Sequence, residues 1–254
     1  MKKIKILTVL IFLFFVLGFL FGVQFNKTTV TVYNETKPIQ KIVYTPFDSV
    51  ANSSFSTIAI PAVDQEGEGL TTILTVQVVP GSGRVLANID RLLFWTDTQN
   101  SIRTSRSVAA EVTGLNLSEY DIIYTIETNA TSVEGPSAGT ALTIATIAAL
   151  QGKEIDTSIL ITGAINHDGT IGPVGEILQK AIAAKEAGYR LFLVPLMHSE
   201  QITYHTEKFC EPVGPSQICT TERIPDKISV EEEAGIRVEE VQDIHEALEY
   251  FLTD

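Results

Sequence analysis

Between residues 57 and 254, β-branched runs alternate with segments of helical spacing, and this alternation limits the fold more than any other feature. TTILTVQVV (71–79) is a strand that stops at Pro80 and Gly81, and a second strand follows at GRVLANI. Residues 101–113 read as a helix ending before Gly114, and YDIIYTIET (120–128) is again β-rich. A helix then runs to about residue 150, followed by a strand at 158–165 and a turn at HDGT. Residues 176–187 form a helix closed by Gly188, and 189–195 form a strand. Residues 196–227 read as irregular. GIRVEEV and the segment 243–252, with Ile244, Leu248 and Phe251 at helical spacing, close the chain as strand and helix. Such alternation predicts a layered α/β (α+β) domain.

The first residues differ in kind. Lys2, Lys3 and Lys5 precede an apolar run over 6–23, long enough to cross a bilayer. The basic residues before the run predict a cytoplasmic N-terminus and a single-pass protein whose remainder is extracytoplasmic. A cleaved signal peptide is the alternative, but no small-x-small cleavage site stands after the run. The expected organisation is a signal anchor over 1–25, a Thr/Ser/Asn-rich stalk over 26–56 with one strand at TTVTVY, and a compact domain over 57–254. Cys210 and Cys219, the only cysteines, flank a Pro/Gly-containing segment within an insertion at about 197–228, which could gate the site. A disulfide between them would persist outside the cytosol. Asn26, Asn34, Asn52, Asn116 and Asn129 lie in N-x-S/T sequons, which matter only where glycosylation machinery exists. The net charge of −13 disfavours nucleic acid as a partner. No P-loop, dinucleotide or metal-ligand spacing is present, so neither a metal nor another cofactor is expected.

The stretch EGPSAGTALTIATIAAL places Ser137 between Gly135 and Gly139, just after Pro136 and just before a small-residue helix. A helix N-terminus carries unpaired N–H groups and partial positive charge, which suits an alkoxide or a carbonyl oxyanion. The two glycines would leave room for a substrate backbone. Serine is also among the best N-caps, so the same residue reads as a cap too. A nucleophilic serine needs a base. G-P-S-A-G matches the nucleophile elbow of α/β-hydrolases, which would enlist Asp168 with His198 or His205. The other candidate base is Lys180 in EILQKAIAAKEAG, beside Ala183, Ala184 and Ala187, with Lys185 as a competitor. A solvated lysine is neutral about once in 2,500 molecules at pH 7, a penalty of about 4.6 kcal/mol that burial reduces. An exposed Lys180 paired with Glu176 would instead be worth only about 0.3–0.5 kcal/mol.

Residues 120–195 resemble the proteolytic domain of Lon proteases, through YDIIYTIETNATSVEGPSAGTAL, ITGAINHDGTIGPVGEILQKAIAAKEAG and LFLVP. The resemblance implies the ribosomal protein S5 domain 2-like fold and a Ser–Lys dyad. Ser137 falls on the family's nucleophile and Lys180, 43 residues later, on its base. Thr162 falls on a threonine whose hydroxyl would orient the lysine. The likeness looks closest to archaeal membrane-anchored forms lacking the ATPase domain. It implies polypeptide substrates and a possible homo-oligomeric ring. Glu134 stands where many relatives have Asp, and Glu176 replaces the second glycine before the lysine, where an ion pair could hold Lys180 charged. His167 and Asp168 lie in the turn near the family's site, without a role to carry over. The expected activity is an ATP-independent serine endopeptidase. A silent Lon-like binding module, a histidine-dependent esterase and a solute-binding or adhesion ectodomain are the rivals.

Overall fold

The computed structural model describes residues 53–252, apart from 65, 89–92, 95, 128–131, 134 and 214–215. The apolar run at 6–23, the stalk with its TTVTVY strand, and Asn26, Asn34, Asn52, Asn129 and Glu134 lie outside the described residues. Among the described residues no helix is long and apolar enough to cross a membrane.

One four-stranded sheet is ordered β1-β2-β5-β3. β1 (Ser54–Val63) pairs antiparallel with β2 (Gly69–Pro80), which pairs antiparallel with β5 (Tyr120–Glu127); β3 (Val85–Ala87) joins β5 in parallel. β1 begins three residues before the expected domain start, because Ser54 still pairs with Val78. Strand alternation sends Ile58, Ile60, Leu74, Val76, Val78, Ile122 and Tyr124 to one face. Against that face lies helix α2 (Gly139–Gln151), buried on nearly every side. A helix apolar all round must sit inside a core, and its alanines and glycine let strands and helices approach closely. Helix α1 (Thr96–Thr113) packs on α2 and starts five residues earlier than its sequence suggests.

A second, parallel sheet is ordered β13-β10-β7, with β7 at Ile159–Ile161, β10 at Leu191–Pro195 and β13 at Arg237–Val241. Helix α3 (Ile177–Glu186) packs its Ile177, Ala181 and Ala184 against Leu160, Phe192 and Val194. The short helix α4 (Val230–Ala234) seals the same cluster, and the C-terminal helix α5 (Ile244–Phe251) returns Ile244, Ala247 and Phe251 to the main core. The minor pairs are β4 (Leu93–Phe94) with β6 (Ser132–Val133), and β8 (Ala164–Ile165) with β9 (Ile171–Gly172). The strand expected over 158–165 therefore breaks. After β7, Thr162 N–H still donates to Leu193 O, but Gly163 N–H turns to Ser137 O.

Residues 196–227, expected to be irregular, form most of a long antiparallel ribbon. β11 (Glu200–Val213) pairs with β12 (Ser216–Ser229) along its whole length. The reading failed because Pro212, Gly214, Pro215 and Pro225 signal loops, while a ribbon open on both faces shows no buried alternation. The ribbon is nonetheless rich in Ile, Thr, Tyr and Val, which favour extended backbone. Cys210 stands directly opposite Cys219, and the two are joined as a disulfide. An isolated two-stranded hairpin is marginal in water. Closing a loop of this length is worth about 3 kcal/mol to the ordered ribbon. Reduction with dithiothreitol is accordingly expected to make the ribbon cleavable by trypsin while the melting temperature of the core stays unchanged. Limited proteolysis with mass mapping checks this; fragments arising equally with and without reductant would refute it.

Candidate active site

Ser137 lies in a 3₁₀ turn, Pro136–Ala138, that feeds directly into α2. Gly135 enters this turn at φ 94° and ψ 157°, a backbone conformation closed to residues with a Cβ. The N-cap residue of α2 is Ala138, and neither it nor Gly135 makes a side-chain capping bond. The serine is therefore not the cap that its position suggested, and its half-buried hydroxyl remains available for chemistry.

The main chain around Ser137 is held from three sides. Its carbonyl accepts from Gly163 N–H at 3.0 Å and from Thr162 Oγ1 at 3.4 Å, while Thr140 donates to Gly163 O through both N–H and hydroxyl at 3.0 Å. Ser105 and Thr143 hydroxyls converge on Gly139 O. Asp97, in the first turn of α1, accepts Gly135 N–H at 2.7 Å through Oδ2 and Thr98 N–H through Oδ1. Nothing in the sequence marked Asp97, since its partner is 38 residues away. Gly139, expected to leave room for substrate, instead faces inward: a Cβ there would lie 2.8 Å from Ile165 N. Its smallness serves the packing of α2 on β8.

Lys180 sits in the first turn of α3 and is 4% exposed, whereas Lys185 is exposed. Its Nζ donates to Gly175 O at 3.0 Å. Burial pushes its pKa below 10.5, opposed by the weaker pull of the Glu176 charge. The exposed Glu176–Lys180 ion pair entertained from the sequence does not form. Because the folded pKa lies below the unfolded 10.5, the folded state binds fewer protons between the two values, and stability rises with pH there. The cost is full below the folded value and vanishes above 10.5.

Three expectations change here. Thr162 is fully buried, but its hydroxyl donates to Ser137 O and makes no bond to Lys180, so it anchors the serine turn rather than orienting the lysine. Ser137 Oγ and Lys180 Nζ are not hydrogen-bonded to each other; Gly175 O holds the ammonium. Asp168 is turned to Thr170, His198 to Leu196 O, and His205 to the Asp226 and Glu207 carboxylates on the ribbon. The hydrolase-type triad is thus not assembled.

Glu176, standing where a glycine was expected, takes φ 60° and ψ 37°, the left-handed region. A residue with a Cβ pays about 1 kcal/mol there. Glu176→Gly is expected to stabilise the fold by about 0.5–1 kcal/mol and to shift the rise of activity with pH to lower pH, since a carboxylate that holds Lys180 charged is gone. Glu176→Ala should shift the pH profile without the stability gain. Thermal melts beside pH–rate profiles separate the two effects, and an unmoved profile in both variants would count against Lys180 as the base.

The family profile described as Lon protease (S16) C-terminal proteolytic domain matches residues 74–213, just over half of the chain. Those residues include the Ser137 turn, Thr162 and Lys180. The Lon protease of Phenylobacterium zucineum is 35% identical over 119 residues, 46% of this chain and 15% of that protein. The Lon protease of Vibrio parahaemolyticus is 29% identical over 180 residues, covering 67% of this chain and 22% of the relative. The Archaeal Lon protease of Archaeoglobus fulgidus is 27% identical over 150 residues, 58% of this chain and 24% of its own length. The matched region thus spans less than a quarter of each of these relatives. With more than half of its length matching the profile, the chain belongs to the Lon protease (S16) C-terminal proteolytic domain family.

Proposed function

We propose that this chain is a serine endopeptidase in which Ser137 is the nucleophile and Lys180 the general base. The observation that carries the reading is a lysine only 4% exposed, with burial lowering its pKa, 43 residues after an uncapped serine at a loop-to-helix junction. In its neutral form Lys180 takes the proton of Ser137 Oγ as the oxygen attacks a peptide carbonyl. Main-chain N–H groups of the 3₁₀ turn, at the positive end of α2, supply positive potential for the oxyanion. The lysine returns its proton to the leaving amine, and water hydrolyses the acyl-enzyme. For this the Lys180 side chain exchanges Gly175 O for Ser137 Oγ.

The proposal extends to substrates and place. In this reading the chemistry of these 254 residues, which carry no G-x-x-x-x-G-K-[ST] sequence, runs without nucleotide on loose or unfolded polypeptide segments. The lysines ahead of the apolar run at 6–23 and the disulfide in the ribbon favour a single-pass membrane anchor with the domain on the extracytoplasmic side. Casein hydrolysis by the full chain in neutral detergent, with and without ATP, tests the activity. Equal cleavage in both supports the reading, and cleavage only with ATP refutes the nucleotide-free part. Protease accessibility in sealed cells and inverted vesicles tests the side.

A further inference from the structure

Most residues of the β11–β12 ribbon are exposed on both faces, including the large apolar side chains of Ile202, Tyr204, Phe209, Val213 and Ile218. Residues opposite one another across a ladder share a face. Lys208, opposite Thr221, and Arg223, opposite Thr206, therefore lie on one face with Ile202 and Tyr204. The Arg223 guanidinium stacks 5.1 Å from the centre of the Tyr204 ring, which fixes a basic, aromatic surface. Lys227 on this face is already spent on Glu200, but Lys208 and Arg223 form no ion pair among the described residues.

The opposite face is acidic. Glu207 stands directly across from Glu222, and Asp226 and Glu211 lie on the same side with Phe209, Val213 and Ile218. Like charges directly opposed destabilise a ladder. His205 relieves part of this, since its hydrogen bonds to the Glu207 and Asp226 carboxylates raise its pKa, but Glu222 and Glu211 have no cation among the described residues. The same stretch of ribbon, 206–211 with 218–223, thus shows unmatched cations on one face and unmatched carboxylates on the other.

The geometry points to a second copy of this chain as what covers the ribbon: the basic face of one copy stacks on the acidic face of the next. Stacked sheets lie about 10 Å apart, within reach of lysine and arginine to facing carboxylates. One such contact covers apolar side chains from both copies and gives Glu222 the counter-charge it lacks. An anionic lipid surface would satisfy the basic face alone and be repelled by the other. The contact is heterologous, because each copy offers one face and receives the other, so it closes into a ring or continues as a filament. It stands apart from the protease reading, since no ribbon residue enters the proposed chemistry.

The test is charge reversal on the full chain in neutral detergent, read as assembly mass by sedimentation. The pair Lys208→Glu with Arg223→Glu, and separately Glu207→Lys with Glu222→Lys, should each weaken self-association at least tenfold. All four together should restore it. Mixing the two reversed proteins one to one should also restore it, as alternating copies, which no pair of misfolded variants would do. An unreversed chain that stays monomeric at about 100 μM overturns the inference. So do reversed proteins that keep the original mass, a fourfold variant that remains dissociated, or loss confined to the basic-face pair together with binding of the parent to anionic vesicles.

Discussion

Ser137→Ala is expected to lower casein hydrolysis by at least about 10⁴-fold while leaving the melting temperature unchanged. Loss of a serine nucleophile removes covalent catalysis altogether, and in serine proteases it costs on the order of 10⁶ in kcat. The fold has no comparable stake in the hydroxyl. The turn is held through the Ser137 carbonyl by Gly163 and Thr162, and no capping bond uses its side chain. A serine kept for structure would show the reverse pattern: a lower melting temperature with most activity intact. His198→Ala and His205→Ala serve as companions, and each is expected to retain activity because neither imidazole is turned to Ser137. Loss of activity in either would revive the hydrolase-type triad.

Lys180→Met is expected to abolish the same hydrolysis and yet stabilise the fold by about 1 kcal/mol. A buried ion replaced by an apolar side chain of similar length is often neutral or stabilising, because the desolvation cost disappears. Here the ammonium has one main-chain acceptor, Gly175 O, to offset that cost. Gain of stability with loss of activity marks a residue retained for chemistry. The pH dependence carries the same signature. In the parent chain activity should rise with pH through a midpoint below 10.5, because the base must be neutral. The stability advantage of Lys180→Met should be largest below that midpoint and fade toward pH 10.5. Urea denaturation at several pH values, beside single-turnover rates, measures both. A Lys180→Met protein that still cleaves casein would sink the dyad.

Much of the core is legible in the sequence. Each β-rich run at 71–79, 120–128 and 189–195 contains or overlaps a strand, because alternating or unbroken apolar residues bury only as part of a sheet. The helix beginning beside Ser137 was legible from its small apolar residues, and α3 from its alanines and closing glycine. The two candidate chemical groups were legible for a different reason: a serine and a lysine at that spacing match a known pattern, and neither needs tertiary information to be noticed.

What sequence spacing cannot carry is which groups meet. Asp97 reaches Gly135 across 38 residues, and Thr162 turns to the Ser137 carbonyl instead of the lysine; both depend on how α1, β7 and α2 pack. Gly139 looked like space for substrate, yet the close approach of Ile165 puts it inside. The ribbon was misread because its strands bury neither face, so the periodicity that reveals ordinary strands was absent. Composition and pattern by themselves determined a layered α/β domain, since burial periodicity is a local property, and the family resemblance of the sequence singled out Ser137 and Lys180 as its candidate chemistry. Only the tertiary structure decided that Lys180 is dry, that Ser137 is not a cap, and that the cysteine segment is a two-faced ribbon, because desolvation and hydrogen bonding depend on neighbours far apart in the chain.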